Sequence, residues 1–209
     1  PLVQVTSNSE AQSKDLLRVA NALWGREARE FYGLDCGDTR TVVRATGGRF
    51  EVNTFAEASS EGDPVTASFI NESHHMTTDE GRRAAAVARR NVAKSPTHIQ
   101  ARLLELTNAH TMGRESVAER SMKAWQKQLA PTFKGRRDFL YDSIEAPPDA
   151  DIMTRPGRLR ALGAAYSDAP WAPLERLADE MTDDDLTVAD MIRFYLNGLG
   201  VAEDSWVDP

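Results

Sequence analysis

Thr41-Val42-Val43-Arg44-Ala45-Thr46-Gly47-Gly48-Arg49-Phe50-Glu51-Val52-Asn53 is the stretch that decides how this 209-residue chain is read. β-Branched and aromatic residues occupy both arms, and Gly47-Gly48 supplies the positive φ angles of a tight hairpin turn. Two antiparallel strands are predicted, and Pro64 to Asn71, with Val65, Ala67, Phe69 and Ile70, can add a third. Nearly all the rest reads as helix. The expected fold is α+β and predominantly α: a helical bundle with a small antiparallel hairpin or three-stranded sheet in residues ~40–71.

Upstream of the hairpin, Leu16, Leu17, Val19, Ala20, Leu23, Trp24, Ala28 and Phe31 recur at three- and four-residue steps. That spacing predicts a helix from Ser9 to Tyr32, with Ser9 and Gln12 forming a capping box and Gly33 as the stop. Downstream, Thr78 caps a helix running to Lys94, and Ser95-Pro96 opens another that carries Ile99, Leu103, Leu104, Leu106 and Met112. A third holds Val117, Met122, Trp125 and Leu129, and Phe133 to Ile144 suggests a short fourth. Further helices are expected over Leu159 to Tyr166, Leu174 to Met181 and Thr187 to Leu199. We read the chain as a single domain, 1–209. Its parts are an N-terminal helix with the sheet (1–77), a basic middle (78–137) and an acidic end (138–209).

An apolar fraction of 41% and a charged fraction of 27% are ordinary for a folded domain. The one cysteine, Cys36, excludes an internal disulfide and any multi-cysteine zinc site, and its neighbours Asp35 and Asp38 disfavour a thiolate nucleophile. No apolar run approaches the roughly 20 residues that span a bilayer, and Pro1-Leu-Val-Gln-Val is not a signal peptide. The expected location is the cytoplasm, or the virion if the source is viral.

Charge is the unusual feature. Residues 1–81 carry 7 basic against 13 acidic side chains, residues 82–137 carry 13 against 3, and residues 138–209 carry 5 against 16. The basic middle supplies candidates for contact with a polyanion or with an acidic surface of another subunit: Arg82, Arg83, Arg89, Arg90, Lys94, Arg120, Lys123, Lys127, Arg136 and Arg137. Trp171, between Pro170 and Pro173, and Trp206 are candidate interface anchors, because Trp is enriched where partners pack.

No catalytic, cofactor-binding or metal residue is singled out. His74-His75, near Glu72 and Asp79, match neither HExxH nor a Cys/His zinc pattern, and read as a polar loop before a helix cap. Gly47-Gly48 is followed by no Lys-Ser/Thr pair, so it is a turn and not a phosphate loop. Asp183-Asp184-Asp185 lacks EF-hand spacing and suits a helix N-terminus. Pro1, on a short strand followed by a helix, resembles the opening of tautomerase-superfamily enzymes over Pro1 to about Tyr32. That resemblance implies a secondary amine acting as catalytic base or acid.

The leading functional expectation is a non-enzymatic, self-associating structural subunit, such as a viral or phage capsid, nucleocapsid or connector protein. A homo-oligomer would form through complementary basic and acidic blocks, with no membrane partner and no cofactor. The alternatives, in order, are a nucleic-acid-binding protein using the basic middle and the Pro1 tautomerase-like enzyme.

Overall fold

A computed structural model describes residues 1–53, 63–135 and 137–199, which leaves Arg136 and Trp206 outside the described residues. The chain divides into two compact units, Pro1–Thr107 and Asn108–Pro209.

Six strands form the frame of the first unit: β1 (Leu2–Thr6), β2 (Leu34–Cys36), β3 (Arg40–Val43), β4 (Gly48–Asn53), β5 (Ala67–Asn71) and β6 (Arg102–Leu106). They stand side by side in the order β2-β3-β4-β1-β5-β6. β1 runs parallel to both β4 and β5, and β6 runs parallel to β5. Only β2, β3 and β4 pair antiparallel. The expected helical bundle with a small antiparallel sheet is therefore wrong for this unit: it is an α/β unit with a mixed, largely parallel sheet.

The error has two local causes. β1 is five residues long, and Gln4 and Val5, which point to opposite faces, are both buried. A strand covered on both faces shows no alternation, and so short a run carries little periodic signal. The stretch after Pro96 misled differently. Pro96 begins a single 3-10 turn, Thr97–Ile99, and Gln100 takes φ +52°, which ends it. Leu103, Leu104 and Leu106 then lie in β6, and their helix-like spacing is incidental.

The hairpin itself forms, with Gly47 at φ +66° and its N–H donated to Val43 O (2.9 Å). The third strand exists as β5, but it pairs with β1 and β6 instead of extending the hairpin. Helix α1 (Glu10–Leu23) opens where Ser9 Oγ accepts the Gln12 N–H (3.3 Å). The predicted single helix breaks at Trp24-Gly25, and α2 (Arg26–Tyr32) ends at Gly33, φ +60°. Thr78 caps α3 (Asp79–Lys94), whose Gly81, Ala85, Ala88 and Asn91 are buried where the helix packs on the sheet.

The second unit is helical over its described residues: α4 (Val117–Leu129), α5 (Arg155–Ala165), α6 (Leu174–Glu180) and α7 (Val188–Asp190), the last running into a π-helical turn, Met191–Tyr195. Ala161, Leu162, Ala178, Met181 and Leu196 form its buried core. The short helix expected near Phe133 to Ile144 does not form over residues 133–135 and 137–144. There Gln128 substitutes for a backbone partner, donating to Phe139 O (2.7 Å) and accepting its N–H (3.1 Å). Among the described residues no helix is long and apolar enough to cross a membrane.

Candidate functional site

In an open sheet of parallel strands, groups that act on a ligand collect beyond the carboxyl ends, where the chain order switches direction. Here that place is β1. The chain leaves β1 to build β4 on one side, and β5 and β6 lie on the other. At the carboxyl edge stand Thr6 ending β1 and Ser7 after it, Asn53 ending β4, Asn71 ending β5 and Glu72 after it, and Thr107 after β6.

These residues are polar and range from buried (Thr6, Ser7, Asn53) to exposed (Thr107). Thr6, Ser7 and Asn53 are at most 4% exposed, and Asn53 Nδ2 donates to Thr6 Oγ1 at 3.4 Å. Ser7 Oγ and Asn53 Oδ1 are buried with no hydrogen-bond partner among the described residues. Leaving such an atom unpaired costs on the order of 1–3 kcal/mol. Gln4 Oε1, Ser13 Oγ and Ser68 Oγ in the same unit are in the same state, so the position of Ser7 and Asn53 at the strand ends is what singles them out. The Ser9-capped start of α1 follows two residues beyond Ser7, so helix N–H groups open close to the same edge.

Glu72 is the outlier. Its N–H continues the sheet pairing by donating to Leu106 O (2.8 Å), yet its backbone then turns into the left-handed region, φ +55°, ψ +43°. That conformation is unfavourable for a residue with a Cβ and is concentrated at functional sites. The following turn, Ser73–His75, is pinned several times. Ser73 Oγ donates to Glu105 Oε1 (2.7 Å), the His75 N–H to Glu72 O (3.0 Å), and the His74 N–H to Thr107 Oγ1 (3.0 Å). Arg89 on α3 holds the other oxygen of Glu105 at 3.2 Å. The result is a fixed platform presenting one half-exposed carboxylate, with the buried ring of His74 3.5 Å from Glu72 Oε2.

Glu72, His74 and His75 offer ligand atoms within 4.8 Å of one another, a spacing that a divalent transition metal could bridge. His74 Nδ1 is already engaged by Thr107 Oγ1 at 3.0 Å, so the same atoms form a hydrogen-bonded set without an ion. The sequence reading treated this segment as a loop before a cap. The usable signal was the order of elements: a short strand-like run with Val65, Ala67, Phe69 and Ile70, ending in Asn71-Glu72 ahead of a capped helix.

The basic residues singled out from sequence fall in different places. In α3, Arg83, Arg90 and Lys94 are exposed and share the side opposite the buried Gly81, Ala85 and Ala88. Arg82 pairs with Asp79 (2.6 Å) and Arg89 with Glu105 (3.2 Å). In the second unit Arg120 and Lys123 meet Glu115 at 3.3 and 2.7 Å, and Lys123 also meets Glu119 at 2.9 Å. Lys127 is exposed, and Arg137 donates to Ala130 O (3.2 Å). Trp171 is 81% exposed between α5 and α6. Pro1 lies at the amino end of β1, away from the carboxyl edge, with its carbonyl accepting the Arg49 N–H (3.0 Å).

The fold has a counterpart among solved structures. It matches the crystal structure of the HK97 bacteriophage large terminase with a TM-score of 0.67 at 13% identity, over 95% of this chain and 40% of that one. Among curated proteins the chain is similar to the Gene 13 proteins of Mycobacterium phages D29 and L5. Each is 28% identical over 99% of this chain. The chain spans 37% of the length of those relatives. No protein-family model matches it. The phage part of the functional expectation therefore stands, and these relatives give no support to its capsid-subunit part.

Proposed function

We propose that this chain is a segment of a phage DNA-packaging protein of the large-terminase class, and that its carboxyl edge takes part in nucleoside triphosphate hydrolysis. A packaging motor moves a charged polymer against resistance and needs a chemical source of work. The observation that carries the reading is Glu72, held in a left-handed backbone conformation at the carboxyl end of β5, next to the switch point. Phosphoryl transfer requires of a protein mainly positioning and electrostatics, including a group that orients the attacking water. Glu72 is that group here, acting as general base. The buried hydroxyl and amide atoms of Ser7 and Asn53 provide polar contacts beside it. The sequence contains no G-x-x-x-x-G-K-[ST] loop, so the phosphate cradle is not assigned to these residues.

The test is triphosphate hydrolysis by the intact gene product carrying this chain, with Glu72→Gln as the variant. Removing a general base should lower kcat roughly 10²- to 10⁴-fold. A Glu72→Gln protein that hydrolyses ATP and GTP at the parent rate rules the assignment out.

The exposed side of α3 supplies the nucleic-acid contact in this reading. Arg83, Arg90 and Lys94 neutralise DNA phosphates, with no base readout required. Replacing all three by Ala should weaken duplex binding and flatten the dependence of log K on log salt by about one unit per lost phosphate contact. An unchanged slope in fluorescence anisotropy would move the DNA contact elsewhere.

A further inference from the structure

His74 is the buried titratable group that the proposed chemistry leaves unused. We propose that it is a positioning residue that links Glu72, at the end of β5, to Thr107, just beyond β6, and so sets the direction of the Glu72 carboxylate. This inference rests on Glu72 being the general base.

The geometry is specific. His74 Nδ1 stands 3.0 Å from Thr107 Oγ1 and 3.5 Å from Glu72 Oε2, while its main-chain N–H donates to the same Thr107 oxygen at 3.0 Å. One hydroxyl thus holds both the backbone and the ring of His74. The ring cannot turn without breaking that contact, and its side chain is only 5% exposed. The backbone of Glu72 is fixed by its bond to Leu106 O, but its carboxylate still has three rotatable bonds. His74 Nδ1 is a polar atom within reach that can choose among those rotamers. With the proton on Nδ1, the ring N–H points at Thr107 Oγ1 (3.0 Å) and also faces Glu72 Oε2 (3.5 Å), which draws the carboxylate towards it. With the proton on Nε2, Nδ1 accepts from the Thr107 hydroxyl and offers Glu72 nothing, which leaves the carboxylate to face a water. Groups that orient a reacting residue in this way commonly matter 10- to 100-fold.

Three variants of the intact gene product separate this role from simple packing: His74→Leu, His74→Asn and Thr107→Val. Asn places an amide atom close to where Nδ1 lies, and Leu does not. Under saturating nucleotide, His74→Leu should lower kcat roughly 10- to 100-fold with KM within about twofold. His74→Asn should recover most of that loss. Thr107→Val should match His74→Leu, and the double variant should be no worse than either single one, because both break the same link. Additive losses, a parental kcat in His74→Leu, or no recovery with Asn would each overturn the inference. Thermal melts of the three proteins check that they fold, and Thr107→Val, close in shape to the parent residue, tests the link if His74→Leu does not. If Glu72→Gln is inactive while His74→Leu is fully active, only the positioning role fails. If Glu72→Gln is fully active, both readings fail.

Discussion

Two places, the carboxyl edge of the sheet in the first unit and the start of α4 in the second, handle buried polar groups in opposite ways. In the first, polar atoms collect at one end of a sheet, and some of them, such as Ser7 Oγ and Asn53 Oδ1, have no partner among the described residues. In the second, the most buried carboxylate is fully used by its own helix start. Ser116 caps α4, and Glu119, 3% exposed, accepts the N–H groups of Gly113 (3.1 Å) and Glu115 (2.7 Å) while pairing with Lys123. Burial alone would raise the Glu119 pKa. The Lys123 hydrogen bond and the two backbone N–H groups outweigh that effect and lower it. The difference teaches how to separate a site from a structural knot: a knot closes on itself, whereas a site leaves polar atoms unpaired.

The largest break in this comparison should come from Val5→Asp in β1, where the side chain is fully buried at the centre of the sheet. An unpaired buried carboxylate costs several kcal/mol, comparable with the whole stability of a domain. The variant should lose the native fold of the first unit by circular dichroism and limited proteolysis. Whether the helices of residues 108–199 survive shows if the two units unfold together.

Leu162→Ala, in the core of the second unit, should cost about 2–5 kcal/mol in urea unfolding and leave nucleotide hydrolysis per folded molecule unchanged. A lost activity there would tie the helical unit to the chemistry.

Glu119→Ala should cost about 1–3 kcal/mol, since it strands two backbone N–H groups and one face of Lys123. A neutral result would show that water replaces the carboxylate at no cost.

The smallest effect concerns acid. His110 is 3% exposed with Nε2 unpartnered among the described residues, and burial lowers its pKa below the usual histidine value of 6.5, against the opposing pull of Glu119. A lowered native pKa means that the unfolded chain binds the proton more readily. Stability is therefore full above the unfolded value and declines as pH falls from 6.5 towards the native pKa. Melting temperatures of the second unit should drop across that window, and His110→Gln should flatten the drop. A Gln variant with the same acid limb would assign it to other groups.

Legibility in the sequence followed the same division. Cap signals gave the starts of α1 and α3 at Ser9 and Thr78, and apolar spacing gave α4, because a helix satisfies its backbone locally and repeats every 3.6 residues. The hairpin at Gly47 was equally local. Charge blocks were countable, yet their pairing was not: Arg120 and Lys123 read as a basic stripe until Glu115 and Glu119 were seen beside them.

The sequence by itself determined the capped starts of α1 and α3, the hairpin turn and the distribution of charge, all of which depend on residues within a few positions of each other. Tertiary structure alone decided that Leu2–Thr6 is the centre of a parallel sheet, that Arg102–Leu106 is a strand, and that Glu72, His74 and Thr107 meet. Parallel pairing joins segments far apart in the chain, such as Val3 with Ala67 and Ala67 with Arg102, and no local pattern encodes such a partner. The candidate site is made of those distant pairings, which is why it was invisible until the strands were aligned.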